Sequence, residues 1–178
     1  MHELRAEDPR AEQWLLVPEA APLLFKAGLS AHNKNFQRAV VRVQIGLEDT
    51  CAEAAIPGQV LICHRGTLDA LAYWLRSGWV EEEFFAFTQT NREDHFRRYA
   101  GVIHLQTAAI DANAHYRRWP DAHRPESPSQ AAETDQLCSR AWSRHPNYIF
   151  IDNNNRDWLA KSQAARRALD DLLSRMHS

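Results

Sequence analysis

The sequence predicts an α/β fold with a mainly parallel sheet and helices on both faces. Three observations carry that expectation. Four short apolar runs have strand length: WLLV (14–17), QVLIC (59–63), GVIHLQT (101–107) and NYIFID (147–152). Stretches with apolar residues three and four apart separate them, so strands alternate with helices. Each run also ends in a polar segment: PE at 18–19, HRG at 64–66, a long excursion from Ala108, and DNNN at 152–155. Ligands of open parallel sheets gather at the carboxyl ends of the strands, so these four segments are expected to converge.

The elements follow in order. Residues 1–7 read as a helical fragment ending before Pro9. Pro18 halts the first strand, residues 20–27 are helical, and Gly28 is a C-cap. A long helix is expected over 33–55, with Phe36, Val40, Val43, Leu47, Cys51 and Ala54 on one apolar face. Pro57-Gly58 breaks it. After the second strand, Thr67 is expected to cap a helix reaching Arg76, ended by Gly78. Residues 80–99 are mostly helical, with Phe84, Phe85 and Phe87 as bulk. Residues 108–129 are polar and lid-like, carrying Arg117, Arg118, Arg124 and three prolines. Helix returns over 131–143. The last helix is expected to set Trp158, Ser162, Ala165, Leu169, Leu172 and Met176 on the core. No internal repeat or second domain is visible, so residues 1–178 are expected to form a single domain with 108–129 as its lid.

Composition narrows the classes of function. Hydrophobic residues make up 44% and charged residues 25%, as in an ordinary globular protein. A net charge of −2 gives no bulk attraction to nucleic acid or an anionic membrane. Cys51, Cys63 and Cys138 show no CxxC spacing, which fits a reducing cytoplasm and neither a disulfide framework nor a zinc site. The N-terminal stretch MHELRAEDPR is charged and has no apolar signal-peptide core. Only Lys26, Lys34 and Lys161 are lysines. The arginine bias suits bidentate grip on phosphates or carboxylates, and codon bias is the plainer reading.

VPEAAPLL after the first strand is followed by LICHRGTLDALAYW, GVIHLQT, an arginine-bearing segment ending RPESPSQAAETD, and HPNYIFIDN before the C-terminal helix. In this order the segments resemble a family of P-loop ATPase/kinase domains, the AAA-domain proteins akin to the NadR-type ribosylnicotinamide kinase. That family shows a PEAAR-like segment, DRG-x-x-D-x-x-AY, an R-x-E lid and an HP-x-Y strand. The resemblance covers nearly the whole chain. It implies a three-layer P-loop kinase-like fold, ATP and Mg²⁺ as cofactors, and a nucleotide and a small-molecule substrate as partners. It also implies phosphoryl transfer to a hydroxyl, with a non-catalytic pseudo-kinase that contacts another protein as the alternative.

Two departures qualify it. No GxxxxGK[ST] occurs in the 178 residues, although that loop supplies the phosphate cradle, the lysine and the magnesium-binding hydroxyl. By the resemblance, Met1-His-Glu-Leu corresponds to the latter half of the helix after that loop, so the central first strand is expected to be missing. Its neighbours, 59–63 and 101–107, would then lie roughly 10 Å apart, twice the usual strand spacing. A marginal or rearranged seam is expected there. Second, His64 stands where the family has the aspartate of DRG, and imidazole is a poor ligand for Mg²⁺.

The candidate residues each have two readings. Glu19 can accept the proton of a substrate hydroxyl or bind magnesium through water, or it is a first-turn acid favoured by the helix dipole. His64 is a candidate general base, which the sequence by itself does not establish. Arg65 can bind substrate or form a structural ion pair. Asp69 and Tyr73, four apart on one helix face, line an acceptor pocket or sit at the edge of the core. By the resemblance, Arg117, Arg118 and Arg124 would contact the nucleotide phosphates, with Arg124 catalytic and oriented by Glu126. A solvated loop is the alternative. No residue is assigned to a metal.

Overall fold

In a computed structural model the described residues are 13–31, 33–111, 126–154 and 157–176. The helical fragment expected at 1–7 lies outside them, as do Arg117, Arg118 and Arg124. The chain divides into two compact units, Met1–Ala70 and Leu71–Ser178.

In the first unit, β1 (Trp14–Val17) is followed by α1 (Ala20–Lys26), α2 (Lys34–Ala54) and β2 (Val60–Cys63). The two strands pair in parallel, in the register Trp14↔Val60 to Val17↔Cys63. A parallel pair requires a long crossover connection, which α1 and α2 supply here. Gly28 (φ +84°) ends α1 in the left-handed region, where the absence of a Cβ removes the steric cost. Phe25 of α1 stacks on Phe36 of α2 with ring centroids 4.8 Å apart. Asn33 caps α2 by accepting from the Phe36 N–H at 2.8 Å.

The buried face of α2 differs from the expected one. Phe36, Gln37, Val41, Gln44 and Glu48 are buried, whereas Val40, Val43, Leu47 and Cys51 are half-buried and Ala54 is exposed. The reason lies in α1. Its N-cap, Glu19, makes no side-chain capping bond. Gln44 Oε1 instead accepts from the Ala20 N–H at 3.1 Å, and Gln44 Nε2 donates to Glu48 at 3.1 Å. Supplying an orphan donor at a helix start draws two polar residues into the interior.

Helix α3 (Asp69–Arg76) contains the division between the units. It begins at Asp69, whose N–H bonds the Gly66 carbonyl at 3.1 Å. Thr67 and Leu68 form the buried turn before it.

The second unit continues with α4 (Glu81–Thr88), α5 (Arg92–Phe96), β3 (Val102–Leu105), α6 (Pro128–Trp142), β4 (Tyr148–Ile151) and α7 (Trp158–Met176). β3 and β4 pair in parallel from Val102↔Tyr148 to Leu105↔Ile151. Trp74, Phe84 and Leu71 are fully buried. Trp74 packs edge-on against Trp79 and Phe84 at 4.8 and 5.7 Å, and donates its Nε1–H to the Val80 carbonyl at 2.8 Å. Helix α6 starts at Pro128, earlier than expected, behind a reciprocal capping box between Ser127 and Gln130. On α7, Leu172 is buried as expected, but Lys161 and Ala168 join it while Trp158 and Met176 are exposed.

The described residues thus form seven helices and two two-stranded sheets, with both strand pairs parallel. No helix among them is long and apolar enough to cross a membrane.

Candidate functional site

Two polar clusters stand at the carboxyl ends of the strands, one in each unit. The first is built from the ends of β1 and β2, which are held level by a bond from the His64 N–H to the Val17 carbonyl at 3.4 Å. Glu19 leaves β1 after Pro18, and His64 and Arg65 leave β2. Glu19 Oε2 lies 3.4 Å from His64 Nδ1, and its Oε1 lies 4.0 Å from Arg65 Nε. Arg65 Nη1 continues to Asp69 Oδ2 at 3.5 Å. Four residues singled out in the sequence are therefore brought together in the order His64, Glu19, Arg65, Asp69.

Burial separates their parts. The side chains of Glu19 and Asp69 are each 15% exposed and that of Arg65 29%, whereas the His64 ring is 53% exposed. The arginine lies between two half-buried carboxylates, which partly neutralise it. Because Glu19 turns toward HRG and makes no cap bond, the first-turn-acid reading accounts for its position in sequence but not for its direction. Asp69 does occupy the first turn of α3, where its charge is also favoured by the dipole.

Tyr73 lies one turn beyond Asp69 on α3, and its ring carries the guanidinium of Arg76, 5.3 Å from the ring centroid. Arg76 Nη1 also donates to Glu126 and, at 2.6 Å, to Thr134 Oγ1. Glu126 was expected to orient Arg124, and among the described residues its carboxylate is paired with Arg76. Arg76 is missing from the sequence-based set. Its position in the last turn of a helix reads as routine dipole complementarity.

The second cluster closes the ends of β3 and β4. Asn153 Nδ2 donates to the carbonyls of Thr107 and Ile110 at 2.7 and 2.6 Å, and its N–H donates to Gln106 Oε1 at 2.8 Å. Lys161, only 8% exposed, donates to Asn153 Oδ1 at 2.6 Å and to the Gln106 carbonyl. Nearby, Asp135 accepts from the Thr107 N–H at 2.7 Å and lies 3.2 Å from His104 Nε2. His104 Nδ1 meets the Tyr148 hydroxyl at 2.7 Å, which donates to Ser139 at 2.9 Å. Burial raises the pKa of Tyr148 above its ordinary value. These groups tie the two strand ends together, and every one named here has a partner. Lys161 had a weak signal in the sequence as one of three lysines in an arginine-rich chain. A compact ammonium fits two oxygens at a point where a planar guanidinium would not.

A family profile described as AAA domain matches residues 3–161. The chain belongs to this family. Its members are P-loop NTPase-like, a nucleotide-binding type of domain. No curated protein and no solved structure matches the chain.

Proposed function

We propose that this AAA-domain chain is a small-molecule kinase, moving the γ-phosphoryl group of ATP to a hydroxyl of a nucleoside-like acceptor in the cytoplasm. The observation that carries the reading is the His64–Glu19–Arg65–Asp69 chain at the carboxyl ends of β1 and β2. Its two carboxylates can accept hydrogen bonds from acceptor hydroxyls, and Arg65 between them can bind a polar acceptor or a phosphate oxygen. Arg117, Arg118 and Arg124 would contact the nucleotide phosphates, where arginines stabilise developing charge. Tyr73 would border the acceptor.

Magnesium ordinarily accompanies such a transfer. Among the described residues no three His, Cys, Asp or Glu side chains cluster to hold a metal, and the carboxylates of Glu19 and Asp69 already face Arg65. This donor set does not fit a protein-held magnesium site, and no step is assigned to the ion. The division of the strands into two two-stranded sheets supports a reading in which the central strand of a P-loop sheet, with its phosphate loop, is not among these four.

The second reading is a pseudo-kinase that binds a protein partner. Two sequence features favour it: the absence of GxxxxGK[ST], and His64 at the position of the family's aspartate. Transfer of labelled γ-phosphate from millimolar Mg-ATP to a panel of nucleosides and sugars separates the two. The kinase reading expects product with at least one hydroxyl acceptor and a KM for ATP in the millimolar range. No product with any acceptor leaves the binding module.

A further inference from the structure

We infer that His64 is the general base of this site and that Glu19 is its positioning residue, an inference that rests on the phosphoryl-transfer reading above. Glu19 approaches one ring nitrogen only: Oε2 lies 3.4 Å from Nδ1. An ionised carboxylate can only accept, so Nδ1 must carry the proton for the contact to be attractive. The neutral ring is then held as the tautomer whose Nε2 bears the lone pair. The ring is 53% exposed, so it is more open to a substrate than the 15% exposed carboxylate behind it. At 3.4 Å the pair is in charge contact without a formed hydrogen bond, and catalytic contacts commonly tighten only when substrate binds.

Glu19 itself suits the role of base less well. Its two oxygens lie nearest His64 and Arg65, so as a base it would have to give up one of those contacts. In the proposed step, His64 Nε2 takes the proton of the acceptor hydroxyl. The oxygen forms a bond to the γ-phosphorus of the nucleoside triphosphate, and the bond from that phosphorus to the bridging oxygen breaks, releasing the diphosphate. The imidazolium left behind sits against the Glu19 carboxylate, and its proton passes to solvent.

The test combines a tautomer measurement with kinetics on the full chain. Long-range nitrogen–carbon NMR correlations of the neutral His64 ring should show the proton on Nδ1. E19A should shift it toward Nε2, and E19Q, whose amide oxygen accepts the same bond, should keep it on Nδ1. H64Q should lower kcat by about 100-fold or more, the usual contribution of a general base, with the acceptor KM little changed. E19A should lower kcat, and E19Q should recover part of the loss. An active wild type with an equally active H64Q overturns the base role and leaves the kinase reading standing. A wild type inert with every acceptor overturns both. A proton on Nε2 in the wild type removes the Glu19 role whatever the kinetics show.

Discussion

His95 shows how strongly a single residue's environment can set its chemistry. It is 1% exposed, lies close to the Phe84 and Phe85 rings, and bonds Thr90 Oγ1 through Nε2 at 2.9 Å. The tautomer follows from the hydroxyls. Thr88 gives its proton to the Phe84 carbonyl at 2.8 Å, so it accepts from Thr90 at 2.7 Å. Thr90 has then spent its own proton, and His95 Nε2 must donate. Burial is the main cause that lowers the pKa of His95 from 6.5 to about 4, with Arg98 and Arg92 adding to the shift and Asp94 opposing it. A lowered pKa means that the unfolded chain binds the proton first. Stability from this group is therefore full above pH 6.5 and is lost as pH falls toward 4. The drop from 6.5 to about 4 corresponds to roughly 3 kcal/mol at 1.36 kcal/mol per pH unit. Urea unfolding between pH 7 and 4 should show this loss in the wild type and a flatter dependence in H95L. Equal slopes in the two proteins would remove His95 as the cause.

Among elements, α1 depends on a residue far from it in sequence. Replacing Gln44 by Leu keeps the volume near constant but leaves the Ala20 N–H without its acceptor and takes a donor from the buried Glu48. An unsatisfied buried polar group costs about 1–3 kcal/mol. Q44L should lower the unfolding free energy by that amount, read as a lower urea midpoint at unchanged slope, and a loss below about 0.5 kcal/mol would mean that Glu19 or water takes over the cap. The same contact explains what the sequence could and could not reveal. All four strands and the long α2 were legible, because apolar runs between breakers and three-four spacing are local signals. The rotation of α2 and α7 was not, because Gln44 and Lys161 bond Ala20 and Gln106, distant in sequence, with Glu48 accepting from Gln44, and a rule that ranks residues by hydrophobicity puts them outside. The start of α6 was legible but passed over: SPSQ is a capping box with proline at the first helical position, and its polar residues were counted with the lid. Glu19, His64 and Arg65 stand out because PE and HRG each follow a strand, and Asp69 by its four-residue spacing to Tyr73 and the DRG-x-x-D resemblance. Which ring nitrogen of His64 meets Glu19 required coordinates.

For the whole molecule, the question is how tightly a P-loop-type chain holds a nucleotide when its 178 residues contain no GxxxxGK[ST]. That loop normally contributes most of the phosphate grip through backbone N–H groups and a lysine. Of the three lysines, Lys161 is buried against Asn153 and Gln106. Lys26 closes the last turn of α1 and Lys34 opens α2, so neither stands at a strand's carboxyl end. The grip left to this chain is that of arginines, and millimolar affinity is the expectation. Ligand linkage turns that into a melting temperature. At a ligand concentration equal to Kd the gain is about 0.4 kcal/mol, and at 100 times Kd it is about 2.7 kcal/mol. For a chain of this size each kcal/mol moves Tm by roughly 2–4 °C. One millimolar Mg-ATP should therefore raise Tm by only about 1 °C. A P-loop site of ten-micromolar affinity would raise it by roughly 5–10 °C on the same figures. A shift in that larger range would mean that groups within these residues rebuild a phosphate cradle by other means, and it would overturn the millimolar KM expected of the kinase.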